Sequence, residues 1–220
     1  MLMQPPPSGL GSQPHLSGIF ASLTNATAHW SAEQWSVDMA SMKSVGMSFF
    51  VLPRPASAVW PASAACPLGG FDANFAVDGL GECFRQVGDL TAPGGTALTI
   101  LDAAARAGLR VQLGLALTEK ASDPYNASLV PAYASLQVDV ARHLWGLASA
   151  ANLTDTIAGF YTEVEEYNAA WWVADYRDWS MHYLGPLAAS VKEIRSDLLV
   201  WASPYSVRPR PLSTSHSAHR

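Results

Sequence analysis

Three carboxylates close one apolar run: IAGFYTEVEEYN, Ile157 to Asn168, ends in Glu163, Glu165 and Glu166. Carboxylates held together can divide acid and base work, because burial and like charge raise the pKa of one so that it keeps its proton. If Ile157 to Glu165 is a strand, Glu163 and Glu165 share a face, with β-carbons about 7 Å apart from a rise of ~3.3 Å per residue. Glu165 then stands at the strand's end and Glu163 one layer deeper. Glu165 is the acid/base candidate; Glu163 can equally be a buried, hydrogen-bonded residue, and Glu166 a solvated loop acid. Aromatic rings at or beyond strand ends could form a platform for an apolar ligand face: Tyr161, Trp171, Trp172, Trp30 and Tyr205. Trp171 and Trp172 are adjacent, so at most one of them faces a given ligand. Trp35, Trp145 and Trp179 fall on helical patterns and read as core. Asn25, His29 and Asn168 lie near the same strand ends as loop hydrogen-bonders.

These groups need a frame, and the hydrophobic periodicity supplies one. SGIFAS (Ser17 to Ser22) is a short strand. In the following helix Ser31 and Gln34 form a capping box, Trp35, Met39, Met42 and Val45 recur at helical spacing, and Gly46 suits the stop. MSFFVLP (Met47 to Pro53) is the second strand. Thr96 to Ala107 is a helix closed by Gly108, Leu109 to Leu117 the third strand, and Pro131 to Ala150 the third helix. Ile157 to Glu165 is the fourth strand, Tyr176 to Arg195 the fourth helix and Leu198 to Tyr205 the fifth strand. Strands alternating with helices give a parallel sheet with right-handed crossovers. The third, fourth and fifth strands each have one apolar face. Their other faces mix small, polar and bulky residues (Gln112, Gly114 and Ala116; Gly159, Tyr161, Glu163 and Glu165; Trp201, Ser203 and Tyr205). A narrow barrel interior wants that mixture, whereas a sheet covered on both sides wants two apolar faces. No GxGxxG or P-loop follows the first strand. The expected organisation is a Pro/Gly-rich N-terminus over 1–14, a partial (β/α)8 barrel over 15–206 with a long loop or insertion at 54–95, and a patternless tail over 207–220.

Bulk composition narrows the partners. The chain has 220 residues, 49% apolar and 14% charged, with a net charge of -5. This is a globular composition without a Lys/Arg stripe, so no nucleic-acid partner is expected. No run reaches the length of a membrane span. Cys66 and Cys83 can pair in a secreted protein or remain free thiols. Neither they nor the six histidines show ligand spacing, so no metal or cofactor is expected. The N-terminal residues do not read as a signal peptide. Sequons stand at Asn25, Asn126 and Asn152. Used sequons would mean a secreted chain whose true N-terminus lies upstream; otherwise the chain reads as cytoplasmic.

Five stretches carry a family resemblance: SGIF, AEQWSVDMASMKSVGMSFFVL, ILDAAARAGLRVQLGLAL, GFYTEVEEYN and YLGPLAASVKEIRSDLLVWASPY. Together they resemble the glycoside-hydrolase-like TIM barrels of the domain of unknown function 4434 family. The resemblance implies a (β/α)8 barrel that acts on or binds carbohydrate at its C-terminal strand ends. Glu165 matches the Glu that ends the family's fourth strand, which implies a general acid/base. Glycoside hydrolysis also needs a second carboxylate, ~5–5.5 Å away for retention or ~6.5–9.5 Å for inversion. In related retaining enzymes it comes from the seventh strand, and only five strands are legible here. Glu163 shares a strand with Glu165, so it is not assigned as that nucleophile and is placed, with the aromatic residues and Asn168, among the substrate contacts. The expectations are therefore a glycosidase-like barrel with Glu165 as acid/base, a non-catalytic carbohydrate-binding barrel, or a fragment of the enzyme. This chain alone is expected to be inactive and to self-associate through an open barrel edge.

Overall fold

The computed structural model describes residues 18–20, 27, 30–52, 56–60, 63–66, 68, 70–73, 80, 82–86, 95–116, 129–167 and 180–205. Five strands form one parallel sheet: β1 (Gly18–Phe20), β2 (Phe49–Leu52), β6 (Arg110–Gly114), β7 (Ile157–Tyr167) and β8 (Leu199–Tyr205). They lie side by side in chain order, each pair parallel. Helices α1 (Ala32–Ser44), α2 (Gly95–Ala107), α3 (Val130–Ala150) and α4 (Gly185–Ile194) occupy the crossovers. This is the α/β order of a partial (β/α)8 barrel, as the alternating pattern implies.

The helix boundaries follow local chemistry. Ser31 caps α1 by accepting from the Gln34 N–H at 3.2 Å, and the Gln34 side chain accepts from the Ser31 N–H at 2.8 Å. That reciprocal pair is the expected capping box, worth about 1 kcal/mol. Gly46 and Gly108 take positive φ just past α1 and α2, where a β-carbon would be strained. A π-turn, Ser180–Leu184, precedes α4, so the described part of the helix expected over Tyr176 to Arg195 opens irregularly, and 176–179 lie outside the described residues.

One core joins sheet and helices. Phe50 and Leu52 of β2, Val111 and Leu113 of β6 and Phe160 of β7 are buried against Trp35, Met39, Ile100, Leu101, Leu144 and Leu187 of the helices. The opposite face of the sheet curls on itself. Phe20 of β1 meets Tyr161 of β7 edge-on at 5.2 Å, and Phe49 of β2 meets Trp201 of β8 at 5.2 Å. In both pairs the partners stand three strands apart in the sheet, so ring contact requires strong curvature. Glycines make room for it. A β-carbon on Gly18 would strike the Phe49 ring, and one on Gly159 would strike the Leu199 backbone. Gly159 follows a bulge: Val111 pairs with Ile157 but Gln112 pairs with Gly159, leaving Ala158 as the extra residue.

Within the segment expected as a long loop or insertion lies a second sheet of three strands. β3 (Ala56–Trp60) pairs antiparallel with β4 (Gly70–Ala73), which pairs parallel with β5 (Phe84–Gln86). Its alternation is short and broken by Gly and Pro, so no strand signal rises above the turn signals. Cys66, between β3 and β4, is bonded to Cys83, just before β5, with S–S 2.07 Å. Leu68 is buried in the main core, and Leu80 and Phe84 pack against it. The excursion leaves from the C-terminal end of β2 and returns at α2. Connectivity therefore puts it beside the mouth of the barrel.

Candidate active site

The mouth is the set of C-terminal strand ends: Phe20, Leu52, Gly114 with Leu115 and Ala116, the end of β7 and the end of β8. β7 is the longest strand of the sheet and carries Glu163, Glu165 and Glu166 toward its C-terminal end. It runs to Tyr167, two residues past the expected end at Glu165, so Glu166, expected in a loop, lies within the strand opposite Pro204. Its ladder with β8 is irregular there. Thr162 pairs with Ala202 and Glu166 with Pro204, so Glu163, Val164 and Glu165 stand opposite Ser203 alone. Irregularities of this kind re-aim side chains and are frequent beside active sites. Tyr167 and Tyr205 pair beyond it, at the rim.

A buried polar framework holds these strand ends from the helix side. The Tyr183 and Thr162 hydroxyls bond at 2.6 Å, and both residues are fully buried. Tyr183 stacks on Tyr133 with ring centroids 5.1 Å apart. Tyr133 Oη and Gln137 Nε2 both donate to the Ala116 carbonyl, at 2.9 and 2.6 Å. The Leu115 N–H reaches the Tyr161 carbonyl at 2.9 Å and continues the β6–β7 pairing past the strand. Thus α3 and the π-turn clamp the ends of β6 and β7, immediately below the glutamates. Such bonds in a low-dielectric interior fix geometry because leaving a member unpaired is costly.

The proposed ligand contacts separate. Tyr161 is 8% exposed and lies on the concave face against Phe20, so it forms a wall below the mouth and not a free platform. Phe20, 56% exposed, is the accessible ring of that pair. Sequence reasoning missed it, although it ends the first strand as Glu165 was expected to end the fourth. Trp30 is not placed with the mouth aromatics. It packs edge-on against Trp35 at 4.9 Å and lines a groove along α1 with Glu33, Val37 and Asp38, because its ring extends the core under α1. Asn25, His29, Asn168, Trp171, Trp172 and Trp179 lie outside the described residues. Deeper in the lumen Gln112 is buried, and its Oε1 has no hydrogen-bond partner. Among the described residues no group of three or more His, Cys, Asp or Glu side chains is arranged to hold a metal ion.

Comparison with solved structures matches this architecture. A crystal structure of a candidate alpha-L-fucosidase from Bacteroides thetaiotaomicron superposes on 86% of this chain with a TM-score of 0.52 and 15% identity. A second, described as a glycoside hydrolase, aligns over 85% of the chain with a TM-score of 0.44 and 15% identity. The chain covers 51% of the first structure and 36% of the second, about half the length or less. At 15% identity the likeness to the first structure establishes the fold alone. No curated protein matches the sequence. The family model for the domain of unknown function DUF4434 matches residues 16–219, and the chain belongs to that family.

Proposed function

We propose that the chain forms the acid-bearing part of a carbohydrate-active barrel, with Glu165 as general acid/base. One observation carries this reading: a run of glutamates closes the longest strand of a curled parallel sheet at its C-terminal end, where barrels of this kind build their sites. Glu165 protonates the leaving glycosidic oxygen. Glu163 and Tyr205, with Asn168, Trp171 and Trp172, contact the sugar, and Tyr161 backs them as the wall below the mouth. Sugars present C–H faces, so Phe20 joins this group as an accessible ring beside Tyr161. Among the five strands of the main sheet, every carboxylate belongs to β7. The second carboxylate that hydrolysis needs therefore comes from a loop or another strand.

The test is turnover of activated aryl glycosides by the full-length protein. Glu165→Gln removes the proton donor and keeps its shape, and turnover falls by at least ~100-fold, the usual size of a general acid's contribution. Unchanged turnover excludes the assignment. A second reading, a carbohydrate-binding barrel without catalysis, is favoured by the confinement of the acids to one strand. It predicts no turnover by the unsubstituted protein, and glycan-array binding that survives Glu165→Gln.

A further inference from the structure

We propose that Asn152 is an acceptor for an N-linked glycan on the barrel face opposite the candidate site. Asn152, Leu153 and Thr154 form an Asn-x-Thr sequon whose middle residue is not proline. Its setting is a well-defined helix stop. Asn152 follows the C-cap of α3 with φ 57, its N–H donates to the Ser149 carbonyl at 3.1 Å, and the Leu153 N–H donates to the Ala148 carbonyl at 2.8 Å. These are the two backbone bonds of a Schellman motif, in which asparagine is the residue other than glycine most at ease at positive φ. Leu153 packs on the core, and Asn152 is exposed. The motif thus uses the backbone and the leucine and leaves the carboxamide at the surface.

A second, independent feature places the chain where sequons are read. The Cys66–Cys83 bond needs an oxidising compartment. In the oxidising secretory lumen, a lipid-linked oligosaccharide pyrophosphate is the donor. The Asn152 carboxamide nitrogen bonds to the anomeric carbon of the sugar, and the bond from that carbon to the pyrophosphate oxygen breaks. The lipid pyrophosphate leaves with the electron pair, and one amide proton passes to base. The α3–β7 connection lies at the N-terminal end of the sheet, whereas the glutamates lie at the C-terminal end of β7. A glycan on Asn152 therefore solubilises the bottom of the barrel without covering its mouth.

The experiment is translation of the full chain, behind an appended signal sequence, with endoplasmic-reticulum microsomes. Asn25→Gln and Asn126→Gln are present throughout, so that Asn152 is the one remaining sequon. The expected result is a single endoglycosidase-sensitive mass increment on the protease-protected chain. It is lost in Asn152→Gly, which keeps the positive φ available, and in Thr154→Ala, and retained in Thr154→Ser. A protected, signal-cleaved chain with Asn152 unmodified overturns the proposal.

Discussion

Gly159 shows how narrowly a single residue can be specified. Its φ is 156, just after the bulge that lets β7 keep pairing with β6, and β8 lies against it closely enough that a β-carbon would strike the Leu199 backbone. The obstruction is main chain, so it cannot swing aside. Gly159→Ala is expected to cost roughly 3 kcal/mol or more, combining backbone strain with a displaced ladder. A shift in the urea midpoint at constant m-value measures it, and an unchanged midpoint would mean that β8 is free to retreat. A milder change tests the clamp beneath the glutamates. Tyr183→Phe takes the hydroxyl from Thr162 and leaves the ring stacked on Tyr133, at a cost of about 1–3 kcal/mol for an unpaired buried group. Chemical denaturation reads that loss, and Tyr183→Leu should cost more because the stacking goes too.

The elements divide by how their structure is encoded. α1 was legible because Ser31, Gln34 and Gly46 are local instructions, and the strands because Phe50, Leu52, Val111, Leu113 and Phe160 alternate with lumen residues over a long enough run. The register shift between Thr162 and Glu166 was not legible, since it depends on how β8 docks and not on the residues of β7 alone. The same holds for Trp30, an aromatic near a strand end that tertiary packing recruits to α1. The β3–β5 sheet was hidden for a third reason: it relies on a covalent link and on docking of Leu68, Leu80 and Phe84 more than on periodicity. That dependence makes a prediction. Cys66 and Cys83 are separated by 17 residues, and closing a loop of that size stabilises by roughly 3 kcal/mol in the chain-entropy account. Reduction should therefore release amide protection over 56–86 while β2, β6 and β7 keep theirs. Equal loss of protection in all eight strands would mean that the excursion and the barrel are one cooperative unit.

At the scale of the molecule, the five strands among the described residues form a sheet that is curled, with β1 and β8 unpaired to each other. β1 pairs only with β2, and β8 only with β7, among the described residues. Parallel strands in closed barrels have no edge, and an edge offers unpaired N–H and C=O groups to another chain. The side chains repeat that message: Phe20 on β1 and Leu199 on β8 are 56% and 46% exposed, both on the terminal strands of the sheet. The contacts between Phe20 and Tyr161 and between Phe49 and Trp201 fill part of the lumen, so the open sheet has a core of its own and need not unfold. Among the described residues no strand pairs along its two outer edges. The 220-residue chain is thus expected to associate as its concentration rises, with sedimentation coefficients that climb over the micromolar range. Phe20→Ser and Leu199→Lys in combination should lower that association, because they place polar groups on both edges. A sharp, reversible melt of a species that stays monomeric at every concentration would show that the edges are already satisfied.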